Sequence, residues 1–155
     1  MGSFSNKTLK LINVLKYELQ TDRDEDINVV IEQMSSYIRV KGAMQIGPLI
    51  QYTDTQLDED GNMNMKMSIM MQCNTFIHNV ESPYTMESTI RIPNAMYCRF
   101  NGREDELHYA FSKIHLESYE SDEKLSGNTY TIFVDEDEDG ENITADVFIP
   151  RAEAV

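Results

Sequence analysis

The sequence has few of the features that tie a protein to a membrane, to nucleic acid or to a disulfide framework. It contains no Trp and only two Cys, and 13 Lys and Arg residues stand against 27 Asp and Glu, for a net charge of -14. No apolar run approaches the ~20 residues of a transmembrane helix, and the start of the chain lacks a signal-peptide pattern. Since the negative charge repels phosphate groups and anionic lipids, we expect no direct nucleic-acid binding and no membrane association.

The two cysteines, Cys73 and Cys98, form no C-x-x-C pair, and both lie in segments with the composition of strands. Secreted domains that depend on disulfides have more cysteines at closer spacing. We therefore predict two buried free thiols and a cytoplasmic protein. At 155 residues, the chain is long enough to bury a core without disulfides or metals.

The first half of the chain predicts a β-α-β-β order. Residues 8–19, 46–54 and 63–73 are rich in β-branched and apolar side chains and predict strands. Between the first two, a helix is predicted from Asp24 or Asp26, as its cap, to Gly42, where it ends. Its apolar residues recur at helical spacing: Ile27, Val30, Ile31, Met34 and Ile38.

The second half repeats this order. Residues 88–100, 126–134 and 143–150 predict strands, and residues 103–121 predict a helix. The apolar positions of this helix are Leu107, Ala110, Phe111 and Ile114.

A shift of about 80 positions superposes the two halves and indicates a duplicated unit. The matches, in order, are Leu9 with Ile90, Leu11 with Ile92, Asn13 with Asn94, Gly47 with Gly127, and "DEDGN" at 58–62 with "DEDGE" at 137–141. We predict a single domain over 1–155, with repeats at 8–73 and 88–150 and a linker at 74–87. The expected fold is α+β: two βαββ units form a curved, antiparallel-rich sheet with two helices on one face and a cleft on the other.

The segment "DEDEDGENITAD", residues 135–146, has the ligand spacing of an EF-hand calcium loop. An EF-hand needs a helix on each side, whereas both flanks here have the composition of strands. Asp139-Gly140 is moreover a strong hairpin-turn signal. We therefore predict a β-hairpin without a metal site, and Asp146 then lies within the last strand.

The second half resembles the GyrI-like family, the effector-binding domain of bacterial multidrug-responsive transcription activators. The resemblance lies in "IRIPNAMYCRFNGREDELHYAFSKI" and "YTIFVDEDEDGENITADVFIP", where the matching features are Pro93, Gly102, Tyr130, the acidic turn at 135–141, Asp146 and Pro150. In the first half, "IGPLIQYTD" matches through its Gly-Pro and the aromatic residue that follows. The motifs are short, but their order matches the family over nearly the whole chain.

This resemblance implies a ligand cleft between the two units, with an acid on the last strand and aromatic residues around it. Family members bind amphipathic, often cationic compounds; some stand alone and act on a protein such as gyrase, and a few hydrolyse small molecules. The chain departs from the family in that Asp146 replaces the usual Glu, and no helix-turn-helix segment precedes residue 8. We therefore expect a stand-alone protein with altered charge recognition.

The candidate ligand-binding residues come from five predicted strands. Alternation places Asp146 and Phe148 on one face of the last strand, which is either solvent or the cleft, and the resemblance favours the cleft. The methionine stripe of residues 63–71 faces either cleft or core, and the repeat alignment sets Met67 against Asp146. Each of three tyrosines taken alone is most simply a half-buried structural aromatic, but together they could offer ring faces to a cationic ligand. The full set is Asp146, Tyr52, Tyr97, Tyr130, Met65, Met67 and Phe148.

The sequence gives little support for catalysis. His108 and His115 lie on one side of the second predicted helix without partners at zinc-ligand spacing, so we expect exposed histidines. No nucleophile motif, carboxylate pair or phosphate-binding loop is present. We therefore expect no enzyme activity, no cofactor and no metal, and a hydrolase remains an alternative only by analogy with the family.

The leading hypothesis is a stand-alone GyrI-like protein that binds an amphipathic, cationic small molecule, with Asp146 as its counter-charge. The alternative is a regulatory protein that acts by protein–protein interaction, in the manner of gyrase inhibitors, with its acidic surface directed at a basic protein partner.

Overall fold

In the computed structural model, which describes residues 5–20, 25–57, 59–122, 124–136 and 141–152, the helices and strands follow the order β-α-β-β twice. They are β1 (Ser5–Glu18), α1 (Ile27–Val40), β2 (Gln45–Leu57), β3 (Met63–Cys73), β4 (Tyr84–Arg103), α2 (His108–Glu120), β5 (Asn128–Glu136) and β6 (Asn142–Ile149). A 3-10 turn, Glu104–Glu106, precedes α2. The predicted α+β fold class with a duplicated βαββ unit is confirmed.

The chain divides into two compact units. The N-terminal unit is Lys10–Ile90, and the C-terminal unit consists of Met1–Leu9 and Arg91–Val155. Each has a hydrophobic cluster between one helix and one face of an antiparallel sheet. The single domain over 1–155, the repeat boundaries and the cleft remain predictions.

Helix α1 begins and ends where the sequence predicts. The side chain of Asp26 caps it by accepting a hydrogen bond from the backbone N–H of Asn28 at 3.0 Å. Beyond its end, Gly42 has a φ of 81°, in the left-handed region that glycine adopts without a Cβ clash. Its buried residues, Val30, Met34 and Ile38, recur every four positions and therefore form one stripe.

In the N-terminal unit, β3 is the middle strand and pairs antiparallel with β1 on one side and β2 on the other. One face of this sheet packs against α1, and Leu15, Ile69, Met71 and Cys73 lie in that cluster. Cys73 is a fully buried free thiol, as predicted.

In the C-terminal unit, β6 is the middle strand and pairs antiparallel with β4 and β5. Helix α2 contributes Ala110 and Ile114 to the cluster on one face of this sheet. The β6 residues in that cluster are Ile143, Ala145, Val147 and Ile149, so the predicted alternation of the last strand is confirmed. Cys98 lies in the same cluster as a buried free thiol. Within the described ranges, no helix is long and apolar enough to cross a membrane.

Two asparagines show the duplication in the backbone. Asn13 in β1 has a φ of 47° and Asn94 in β4 has a φ of 54°, both left-handed. Each is followed by two consecutive buried residues, Val14 and Leu15 in one strand and Ala95 and Met96 in the other. A left-handed residue within a strand is typical of a bulge, which interrupts the alternation of faces. The sequence match of these asparagines therefore corresponds to a shared backbone feature.

Strand β4 begins at Tyr84, inside the predicted linker 74–87. The side chains of Tyr84 and Met86 pack against the cluster of the N-terminal unit. The start of β4 was not predicted from the sequence because Pro83 precedes it and polar residues flank Tyr84 and Met86.

The segment with EF-hand spacing lies between β5 and β6. These flanking elements are paired antiparallel strands, which is the geometry of a hairpin and not of an EF-hand. Asp146 lies within β6, as predicted. The predicted turn at Asp139-Gly140 lies outside the described residues.

Candidate ligand-binding site

Asp146 lies on the face of the C-terminal sheet that is opposite to α2. Its neighbours across the sheet are Arg99 on β4 and Ile132 on β5. Directly paired residues of an antiparallel sheet point to the same face, so these three side chains share a face with Phe148, two positions along β6. The Asp146 side chain is recessed, with 15% of its surface exposed.

The carboxylate of Asp146 is held by two neighbours. Arg99 donates from Nε to Oδ1 at 2.7 Å and from Nη2 to Oδ2 at 3.0 Å, which makes a bidentate ion pair. The hydroxyl of Tyr97 donates to Oδ1 at 2.7 Å. The negative charge of Asp146 is thus already compensated within the chain.

These contacts set the protonation states of the site. Burial alone would raise the pKa of Asp146, but hydrogen bonds from Arg99 and Tyr97 outweigh it and hold this pKa below its usual range. Burial raises the pKa of Tyr97, and its hydrogen bond to the charged Asp146 raises it further. Near neutral pH, Asp146 is therefore a weak base and Tyr97 a weak acid. General acid–base catalysis works best with a pKa near 7, so the pKa shifts of these two groups do not favour that role.

Three of the predicted aromatic residues lie in this unit, on neighbouring strands. Phe148 is paired across the sheet with Tyr97 on one side and Tyr130 on the other. The rings of Tyr97 and Phe148 are 4.9 Å apart between centroids. Tyr97, Tyr130 and Phe148 are only 7%, 6% and 6% exposed, so their rings are closed to solvent in this conformation.

A second cation lies at this site. The Nζ atom of Lys7 is 4.2 Å from the centre of the Tyr97 ring, within the range of a cation–π contact. The Tyr97 side chain thus contacts a lysine through its ring and Asp146 through its hydroxyl.

The remaining predicted residues, Tyr52, Met65 and Met67, belong to the N-terminal unit. Tyr52 is paired with Ser68, and Lys16 lies over its ring with Nζ 4.8 Å from the centre. Burial, followed by the charges of Asp54 and Glu87, raises the pKa of Tyr52.

The methionine stripe faces the α1 side of the sheet, opposite to Tyr52. Met65 and Met67 alternate with Ile69 and Met71, which lie in the cluster under α1. Met67 is half-buried, and Met65 is 58% exposed. The two methionines therefore do not share a face with Tyr52, which answers the question the sequence left open.

The predicted match of Met67 with Asp146 is wrong by one residue. Glu18 lies five residues after Asn13 and is paired across the sheet with Ser68. Arg99 lies five residues after the equivalent Asn94 and is paired with Asp146. Ser68 therefore occupies the position of Asp146 in the N-terminal unit. The error arises because the segments between the matched strands differ in length.

The comparisons with known proteins concern structure, since no family model and no curated protein matches the sequence. The cryo-EM structure of the EcmrR–DNA complex matches with a TM-score of 0.66 and 14% identity, over 97% of this chain and 58% of that chain. The crystal structure of the EcmrR C-terminal domain matches with a TM-score of 0.65 and 14% identity, over 97% of this chain and 99% of that domain. The chain shares its fold with the EcmrR C-terminal domain.

A third match is SAV2435 bound to tetraphenylphosphonium, with a TM-score of 0.50 and 11% identity, over 96% of this chain and 94% of that chain. The tetraphenylphosphonium in that structure is an amphipathic cation. These identities are too low to carry function from one protein to another, so the matches establish the fold alone. The chain spans 58% of the EcmrR chain in the DNA complex.

Sequence reasoning missed Arg99 and Lys7. Arg99 lies two positions from Tyr97 on one strand and therefore on the same face, which the alternation alone could have indicated. Its pairing with Asp146 depends on the register between β4 and β6. His108 and His115 are exposed, as predicted. In the part of the chain that is described, no group of three or more His, Cys, Asp or Glu side chains could hold a metal ion.

Proposed function

We propose that the chain is a stand-alone small-molecule-binding protein of the GyrI-like type, and that its ligand is an amphipathic organic cation. The observation that carries the proposal is the recessed carboxylate of Asp146, 15% exposed, on the face of the sheet opposite to α2 and two positions from the Phe148 ring. The shared fold with SAV2435, whose structure contains tetraphenylphosphonium, supports the same ligand class.

The charge of the site fits this ligand class. A recessed carboxylate attracts a cation more strongly than an exposed one, because water screens it less. The net charge of -14 raises the local concentration of cations around the whole molecule. Aromatic and apolar side chains beside the acid would bind the apolar part of the ligand.

The proposal assigns direct ligand contacts to Asp146, Tyr97, Tyr130 and Phe148 in the C-terminal unit. Since the three rings are nearly closed to solvent, the ligand has to move them in order to enter. In the N-terminal unit, Tyr52 is a further proposed contact. Met65 and Met67 lie on the other face of that sheet, towards α1, and cannot contact the same ligand molecule as Tyr52, so the proposal does not include them. No catalytic step and no cofactor is included, and the cytoplasm is the proposed location.

Titration calorimetry with tetraphenylphosphonium tests the proposal. The wild-type protein should bind it, and Asp146→Asn should weaken the affinity at least about tenfold, since a recessed counter-charge is lost. Asp105→Asn is the matched control: Asp105 is also paired with an arginine, Arg103 at 2.6 Å, but it is 63% exposed. Equal losses in both variants would indicate attraction by net charge alone and would contradict the proposal.

A regulatory role through a basic protein partner is the second candidate function. Helix α2 favours contact with a protein, because Tyr109, Leu116 and Tyr119 are exposed on its surface at 53%, 57% and 84%. Aromatic and apolar residues of this kind are enriched at protein interfaces. The net charge of -14 is what favours a basic partner. If this role is correct, Leu116→Ser should abolish a pull-down interaction that Asp146→Asn leaves unchanged.

A further inference from the structure

The groups that would recognise a cation in this site already hold cations of the chain itself. The guanidinium of Arg99 forms an ion pair with the carboxylate of Asp146, and the ammonium of Lys7 makes a cation–π contact with the ring of Tyr97. In the N-terminal unit, the ammonium of Lys16 makes a cation–π contact with the ring of Tyr52. We propose that Arg99 is a built-in competitor, and that a cationic ligand binds Asp146 by displacing the Arg99 guanidinium. This inference rests on the proposed function.

The geometry at Asp146 leaves little room for simultaneous binding. A carboxylate offers about four acceptor positions, and three hydrogen bonds from Arg99 and Tyr97 already use both of its oxygens. The planar guanidinium covers the edge of the carboxylate with two parallel bonds. A bulky organic cation therefore needs the position that Arg99 occupies.

The exposure of the two partners explains which of them can leave. The Arg99 side chain is 48% exposed, so its charge can turn into water without being stranded in the protein. Asp146 is only 15% exposed, and a recessed carboxylate without a partner is costly. Asp146 is therefore most stable with a cation beside it, and ligand binding exchanges the guanidinium of Arg99 for the cation of the ligand.

This arrangement makes Arg99 a residue that sets affinity and selectivity. A cationic ligand has to compete with a guanidinium that is tethered beside Asp146. Cations that bind the carboxylate weakly, or that hold their water tightly, therefore do not displace Arg99. If Asp146 is free of Arg99 only about a tenth of the time, the apparent affinity for a ligand is lowered about tenfold. Lys7 has the corresponding effect on contacts with the Tyr97 ring, although a single exposed cation–π contact is weaker than the bidentate pair.

The test is calorimetric titration with tetraphenylphosphonium at pH 7 of the wild type and three variants. Arg99→Met removes the charge and keeps an unbranched stem that reaches as far as the Nε position of arginine, and we expect this variant to bind about tenfold more tightly than the wild type. The double variant Arg99→Met/Asp146→Asn should lose that gain. Arg103→Met, which frees the exposed Asp105 in the same unit, is the matched control and should leave the affinity unchanged.

A competition experiment adds a second readout. Methylguanidinium should occupy the vacated position in Arg99→Met and lower its affinity for tetraphenylphosphonium towards the wild-type value, with little effect on the wild type. If far-UV circular dichroism shows that Arg99→Met does not fold, Arg99→Lys carries the test. It keeps the charge but loses the bidentate geometry, so an intermediate gain is expected.

Two results would overturn the inference, and they differ in meaning. If the wild type binds through Asp146 but Arg99→Met binds equally or more weakly, the competitor role is wrong, and Arg99 is either neutral or a direct contact of the ligand. If neither the wild type nor Arg99→Met binds, the proposed function fails and the inference fails with it.

Discussion

Arg99 and Asp146 face each other across strands β4 and β6, with the guanidinium forming two hydrogen bonds of 2.7 and 3.0 Å to the two carboxylate oxygens. This pair decides how the candidate site works, because it supplies the acid with a cation before any ligand arrives. It also makes the site sensitive to pH and to single substitutions.

The contribution of Asp146 to stability should disappear in acid. Its pKa is held below the usual value in the folded state, so its stabilising effect is present above the unfolded pKa of about 3.9 and is lost as the pH falls through the folded pKa. The melting temperatures of wild type and Asp146→Asn should therefore differ at pH 7 and converge below about pH 4. A difference of the same size at pH 7 and pH 2.5 would contradict this assignment.

Tyr97→Phe should destabilise the fold modestly. The substitution removes the hydrogen bond to Asp146 and leaves the buried ring in place, so a loss of about 1 kcal/mol is expected in urea unfolding. Tyr109→Phe is the control, since Tyr109 is 53% exposed on α2, and it should change stability very little. Equal effects of the two substitutions would show that the Tyr97 hydroxyl contributes nothing specific.

Helix α2 allows a matched test of the C-terminal core. Ile114 is fully buried in the cluster, and Ile114→Ala should cost about 2–5 kcal/mol through lost burial and the cavity it leaves. Leu116→Ala removes a side chain that is 57% exposed on the same helix, and its effect should stay within about 0.5 kcal/mol. Chemical denaturation of both variants measures the difference; similar losses would mean that α2 packs through another face.

The left-handed asparagines make a prediction about the repeated bulge. Asn94 has a φ of 54°, so Asn94→Gly should be tolerated because glycine has no Cβ. Asn94→Ala should destabilise by about 1 kcal/mol, because alanine keeps the Cβ clash and loses the short polar side chain whose local hydrogen bonding lets asparagine adopt this conformation. Arg151 donates a hydrogen bond at 2.9 Å to the backbone carbonyl of Asn94, and neither substitution removes this acceptor. If thermal melts rank alanine above glycine here, the backbone at this position is not left-handed in solution.

The order of helices and strands was predictable because local patterns determine it. The spacing of Val30, Met34 and Ile38 sets the buried face of α1, and Asp26 and Gly42 mark its ends. Strand alternation in β6 likewise separates the residues that pack under α2 from the face that carries Asp146.

The contacts of the site were less predictable because they depend on register between strands that are distant in sequence. The pairing of Arg99 with Asp146 joins residues 47 positions apart. A change of one residue in a connecting segment would move Asp146 away from Arg99, and the same sensitivity explains why Met67 was set against Asp146 where the sheet places Ser68. Burial of Tyr97, Tyr130 and Phe148 also depends on packing that alternation does not reveal.

A crystal structure of the protein grown with tetraphenylphosphonium would test the displacement of Arg99 directly. We predict that the phosphonium lies against the Asp146 carboxylate, with the Arg99 side chain turned into solvent and the rings of Tyr97 and Phe148 in contact with the ligand. An intact Arg99–Asp146 pair with the cation bound elsewhere would contradict this prediction.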